Sequence, residues 1–214
     1  MRDSIAGAVE AVLDERIYIG EILVRKIDGG FVLSHRDDRT RNDLQIFGNA
    51  EDAVEVARYD DAGNYRPLKT APNLRHGWRL ELVDLDQLRL ALDHFYPGRL
   101  AIFAAWKSNR LKTTPLRETL DRQSGMYRIA AKISNEQLDP LVTSFCRSDG
   151  GCLRTILWKR DAAGFVASTK LPPEKFDPAH DQSGQSEETI PLLCQEACNL
   201  LVAECRKAVK GESA

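Results

Sequence analysis

The chain has 214 residues, of which 43% are hydrophobic and 29% charged, with a formal net charge of −2. That length accommodates one large or two small domains with a buried core. A balance so near zero gives no electrostatic ground for binding nucleic acid or an anionic membrane, and no apolar run is long enough for a membrane-spanning helix.

The first residues, MRDSIAGAVEAVLDER, carry acids inside the apolar stretch and lack a signal peptide's hydrophobic region. The expected compartment is the cytoplasm, where thiols stay reduced. Five cysteines, an odd number, fit poorly with a disulfide framework.

In chain order, Ile5, Ala8, Val9, Val12 and Leu13 recur at helical spacing. Ile17 to Val24 reads as a strand, turned at Asp28-Gly29-Gly30 into a second strand at Phe31-Val32-Leu33. His35 to Arg41 reads as a polar, solvated loop. Ala50 to Val56 predicts a short helix, and Asp60 to Asn64 a turn, which accounts for the paired carboxylates there. Trp78 to Leu82 alternates as a half-buried strand. Asp84 caps a helix reaching Phe95, with Leu85, Leu88, Leu92 and Phe95 along one side. Pro97-Gly98 interrupts it, and Leu100 to Trp106 forms a second apolar helix.

Thr114-Pro115 followed by Glu118 marks another helix start. A domain boundary is expected at Ser124-Gly125, dividing the chain into residues 1–123 and 124–214. Met126 to Lys132 reads as a strand. Ser134 and Gln137 form a capping box for a helix that carries Pro140 and ends at Cys146. Leu153 to Trp158 reads as a strand and Asp161 to Gly164 as a hairpin turn. Residues 171–188, rich in proline and polar groups, read as an extended loop. A helix is expected from Pro191 to about Lys210.

The candidate site is a set of cysteines. Cys146 and Cys152 flank a turn containing Gly150-Gly151, whose N–H groups can reach sulfur. Cys194 and Cys198 fall one turn apart on the expected final helix, near its N-terminus, where the dipole favours thiolates. Four cysteines suit either a cubane iron–sulfur cluster or a structural zinc. The C-x5-C and C-x3-C spacings lean towards the larger cluster, since zinc knuckles are usually C-x2-C. Cys205, further along the helix, reads as a buried core thiol.

The strings CRSDGGCLRTILW and IPLLCQEACNLLVAECRK resemble the four-cysteine [4Fe-4S] domain at the C-terminal end of some multidomain chelatase-like proteins. Those proteins are similar to the sirohydrochlorin cobalto- and ferrochelatases. The matching positions are Cys146, Cys152, Leu153, Leu157, Trp158, Pro191, Cys194, Glu196, Ala197, Cys198, Asn199 and Leu200. The N-terminal part resembles the accessory, stabilising domain of the same proteins. The resemblance implies a [4Fe-4S] cluster on Cys146, Cys152, Cys194 and Cys198. It also implies an accessory role in tetrapyrrole metal insertion, in cobalamin or sirohaem synthesis, with a chelatase as partner.

No dinucleotide fingerprint, P-loop, nucleophile elbow or H-E-x-x-H motif is present. The four histidines, His35, His76, His94 and His180, are scattered and read as forming no metal-insertion pair. Arg147, Arg154, Lys159, Arg160 and Arg206 lie near the cysteines in sequence and could stabilise a reduced cluster, against a default of ordinary surface charge. Arg75, His76 and Arg79 are candidates for a tetrapyrrole's carboxylates, against a default of surface charge. The expectation is an α+β protein of mixed helices and short antiparallel sheets in two packed domains. Its role would be redox or regulatory and more accessory than catalytic. The alternative is a zinc or metal-free module without redox chemistry.

Overall fold

The computed structural model describes residues 16–59, 62–64, 74–146, 154–160 and 189–211. The expected N-terminal helix, the 161–164 turn and the 171–188 loop lie outside them, as does Cys152. The chain is α+β and divides into two compact units, Met1–Arg110 with Pro178–Leu192, and Leu111–Asp177 with Leu193–Ala214.

The first unit is built on a mixed sheet. Strands β1 (Arg16–Ile19), β2 (Ile22–Ile27), β3 (Gly30–His35), β4 (Gln45–Phe47), β5 (Trp78–Leu82) and β7 (Thr189–Ile190) lie in the order β4-β5-β3-β2-β1-β7. β1, β2, β3 and β5 pair antiparallel in sequence, whereas β4 with β5 and β1 with β7 are parallel. The sheet is therefore not purely antiparallel.

The apolar run from Ile17 to Val24 is not one strand. Gly20 takes φ +58° and turns the chain, so that Ile19 pairs with Ile22. A side chain at that φ would be strained, and glycine is not. The turn is held by Glu21 N–H donating to Tyr96 Oη at 2.9 Å. Helices α1 (Ala53–Arg58), α2 (Leu85–Phe95) and α3 (Arg99–Lys107) agree closely with the sequence reading. Asp84 Oδ1 accepts from Gln87 N–H at 2.8 Å, which caps α2 as its position predicts. Leu88, Ala91, Leu92 and Phe95 point from α2 into a core shared with Ile17, Val24, Leu33 and Trp78. Trp78 stacks on Phe95 with ring centroids 5.0 Å apart.

The second unit holds α4 (Leu116–Asp121), a 3-10 helix (Gly125–Lys132), α5 (Asn135–Cys146), β6 (Thr155–Ile156), β8 (Leu193–Cys194) and α6 (Asn199–Lys210). Leu116 and Leu120 belong to the second unit's core, together with Ala130, Leu138, Val142, Ile156, Leu201 and Val202. The division therefore falls at Arg110–Leu111, earlier than the expected residue 123, because α4 packs with the elements C-terminal to it. Residues Gly125–Lys132 are 3-10 helix, not strand.

Arg117 organises this unit. Its guanidinium donates to Ala131 O at 3.2 Å, Ile133 O at 2.6 Å and Asn135 Oδ1 at 2.9 Å, at the junction of the 3-10 helix and α5. At the start of α5, Ser134 N–H donates to Gln137 Oε1 at 3.1 Å, and Gln137 N–H donates to Ser134 Oγ at 3.3 Å. That is the reciprocal capping box read from the sequence. Pro140 sits inside α5 without ending it.

Candidate metal centre

Each described cysteine sits where a different local rule places it. Cys146 is the last residue of α5, 8% exposed. Cys194 ends β8, which pairs parallel with β6 in the register Thr155 with Leu193 and Ile156 with Cys194. Leu157 N–H donates to Cys194 O at 3.0 Å. The chain then bends, Thr114 N–H donates to Gln195 O at 2.9 Å, and Ala197 turns into the core. Cys198 is the N-cap of α6, in extended conformation, and its side chain makes no capping bond.

The sequence reading is corrected on one point. Cys194 and Cys198 do not lie one turn apart on a helix, because β6 claims the backbone at Cys194 and the helix starts only at Asn199. The two sulfurs are presented by a strand end and a helix cap. Cys198 still sits at the helix N-terminus, and Cys194 Sγ lies 3.0 Å from Glu196 O.

Cys146, Cys194 and Cys198 all belong to one core, the first buried and the other two half-buried against it. Cys152, the fourth expected ligand, lies outside the described residues, and precedes Arg154 and β6 in the sequence. The described donors suit an iron–sulfur cluster, which takes thiolates from any of several backbone settings. A buried donor in the same core also fits such a group. Trp158 is 1% exposed and its Nε1–H is buried without a hydrogen-bond partner among the described residues. Buried indole N–H groups almost always find a partner, and sulfur is an acceptor.

Cys205 is 0% exposed inside α6, and burial pushes its thiol up to about 12. It is a core thiol, as read from the sequence. Two of the cations near the cysteines in sequence have partners of their own. Arg160 pairs with Asp139 at 2.8 Å, and Arg206 lies over the Tyr127 ring at 5.2 Å. In the first unit, Arg75 reaches Gln45 Oε1 at 3.4 Å and Arg79 pairs with Glu81. Among the described residues, no helix is long and apolar enough to cross a membrane.

Comparison with known proteins bears on both units. Residues 108–207 match the family of 4Fe-4S iron-sulfur cluster binding domains, and residues 7–110 match the family of DR2241 stabilising domains. The chain matches a stabilising domain followed by a 4Fe-4S domain. The two matches meet at residues 108–110, at the first of the points where the compact units divide, and Pro178–Leu192 of the first unit falls within the 4Fe-4S match. No curated protein matches the chain. Among solved structures, the stabilising and 4Fe-4S pair is similar to DR2241 from Deinococcus radiodurans, with a TM-score of 0.77 and 30% identity. That protein is described as a multi-domain protein with structural similarity to chelatases and two additional novel domains. The match covers 98% of this chain and 42% of the other, so this chain spans less than half of its relative's length.

The sequence reading missed one cluster. His35 and His76, which read as scattered, lie with ring centroids 3.8 Å apart, beside the buried carboxylate of Asp38. The signal was present in part. Once β3 is paired antiparallel with β5, the residues after β3 and those before β5 must meet at one end of the sheet.

Proposed function

We propose that the second unit holds a [4Fe-4S] cluster on Cys146, Cys152, Cys194 and Cys198, and that the chain is an accessory to a chelatase of the sirohydrochlorin type in tetrapyrrole metal insertion. The observation that carries the reading is that Cys146 shares one core with Cys194 and Cys198, which lie far from it in sequence. The match of residues 108–207 to 4Fe-4S domains supports it. The solved relative's likeness to chelatases, in a chain more than twice as long as the matched part, supports a chelatase as the partner.

The protein's own contribution is to hold three of the thiolates at a helix end, a strand end and a helix cap against one apolar core, with Cys152 as the fourth. A cluster bound there supplies one-electron redox chemistry. The favoured role is redox or regulatory, and a second is structural, since binding free energy to a metal centre becomes folding free energy.

The deciding experiment is anaerobic purification with iron, sulfide and zinc analysis. The expected result is brown protein with iron and sulfide in equal amounts, and loss of both in Cys194→Ala. Colourless protein holding zinc or no metal would overturn the cluster. A redox titration then separates the two roles, because a structural cluster shows no reversible step in the accessible range. Faster metal insertion by a sirohydrochlorin-type chelatase when this protein is added is the expected sign of partnership, and an unchanged rate counts against it.

A further inference from the structure

The first unit contains a cluster of metal-type ligands that the proposed cofactor does not use. His35 ends β3 and is 2% exposed, and Asp38 closes the short 3-10 turn after it and is 3% exposed. His76 precedes β5 and is about one-third exposed. One ligand atom from each of the three lies within 4.8 Å of the other two. His76 Nδ1 is 3.5 Å from Asp38 Oδ1. In a tetrahedral zinc site with bonds of about 2.0–2.1 Å, neighbouring ligand atoms are about 3.4 Å apart.

We propose that His35, Asp38 and His76 form a binding site for a divalent transition-metal ion of the zinc class. Two imidazoles and a carboxylate are the donor set that such ions prefer over magnesium or calcium.

The surroundings provide the second layer of contacts that metal sites need. Asp38 Oδ2 accepts from Gly77 N–H at 2.6 Å, which fixes the carboxylate while Oδ1 faces His76. Both ring nitrogens of His35 have a carboxylate nearby, Glu21 Oε1 3.8 Å from Nε2 and Asp37 Oδ2 3.7 Å from Nδ1. Nδ1 accepts from Asp37 N–H and so is the nitrogen free of a proton, while Nε2 is the one that faces Glu21. Glu21 is itself held by Leu74 N–H at 2.7 Å. Ligation through Nδ1 exchanges the hydrogen bond from Asp37 N–H, 3.1 Å long, for a coordinate bond.

The competing cation is Arg41, whose Nη1 lies 3.3 Å from Asp38 Oδ1. Its shorter bonds run to Asp43, from Nε at 3.0 Å and Nη2 at 2.9 Å. Arg41 is therefore anchored without Asp38, and a metal ion displaces only its longest contact. A bound ion would tie the turn after β3 to the residues before β5, at the end of the sheet.

The test uses the full chain with its iron and sulfide content measured in parallel, so that failure of this site and failure of the cluster are separate results. Protein stripped with a chelator is loaded with Zn2+, passed through gel filtration and analysed for retained zinc. X-ray absorption at the zinc edge then reports the ligands. Wild type should retain one zinc with nitrogen and oxygen ligands at about 2.0–2.1 Å, and its Tm should rise on loading. His76→Ala and Asp38→Asn should lose both effects, with iron and sulfide unchanged. Sulfur ligands at the zinc edge, or equal zinc in wild type and His76→Ala, would overturn the site. The edge spectrum of wild type decides the matter even where a variant folds poorly.

Discussion

Leu157 donates its backbone N–H to the carbonyl of Cys194 at 3.0 Å, across a two-residue parallel pairing of β6 with β8. This bond fixes the backbone of one expected cluster ligand to a segment distant in sequence. The next residue, Trp158, is buried, and its Nε1–H lacks a partner among the described residues. An unmade buried hydrogen bond costs about 1–3 kcal/mol. If a cluster sulfur accepts that bond, Trp158→Phe should destabilise cluster-loaded protein, yet leave cluster-free protein no less stable. Denaturant unfolding of both forms, under anaerobic conditions, measures the two signs. A loss of equal size in both forms would place the indole's role in packing alone.

Cys205 makes stability depend on alkaline pH. Burial raises its thiol from an ordinary 9.0 to about 12 in the folded protein. The neutral thiol is the form the fold accepts, so this contribution is complete below about pH 9 and is lost as pH rises towards 12. The expected slope is about 1.4 kcal/mol per pH unit within that window. Cys205→Val, which keeps a small apolar side chain, should flatten it. Urea unfolding between pH 8.5 and 10.5 reads the slope, and an identical slope in the variant would remove Cys205 as its source.

Arg117 holds the junction between the 3-10 helix and α5 with a fork that reaches two carbonyls and an amide oxygen. Arg117→Ala should cost about 2–4 kcal/mol, since charge-assisted bonds are worth about 1.5–3 kcal/mol each and are not additive. Arg117→Lys should recover little, because an ammonium cannot reproduce the planar fork. Ser134→Ala, which removes one half of the capping box, should cost about 1 kcal/mol. Thermal unfolding ranks the three, and Arg117→Lys matching wild type would refute the geometric account.

At Gly20, the φ of +58° and the space around it both oppose a side chain. A Cβ there would lie 2.6 Å from Tyr96 Oη and 2.9 Å from a Leu192 methyl. Gly20→Ala should therefore destabilise by more than about 2 kcal/mol, combining backbone strain with the displacement of Tyr96. Gly29, with φ +85° and nothing within 4 Å, isolates the backbone term alone. A smaller loss at Gly29→Ala than at Gly20→Ala is the expected order in denaturant titrations.

Signals that act over a few residues were legible in the sequence. The capping box of Ser134 with Gln137, the cap at Asp84, the end of α5 at Cys146 and the alternation of β5 all depend on neighbours within a turn or a strand. The residue types of the cysteine set, and the burial of Cys205 on an amphipathic helix, were legible for the same reason. The conformation at Cys194 was not. PLLCQEAC has helical spacing, but the backbone of Cys194 is taken by Ile156 and Leu157, and no local pattern reveals that partner. Pairing also split Ile17 to Val24 into two strands at Gly20. The same holds for His35 and His76. Each alone is one histidine in a polar loop, and only the antiparallel register of β3 with β5 brings their rings together around Asp38. The sequence by itself determined which residues can ligate and where most of the helices begin. Tertiary pairing decided which of those residues meet, because hydrogen bonds between strands join backbone segments whose separation along the chain leaves no local trace.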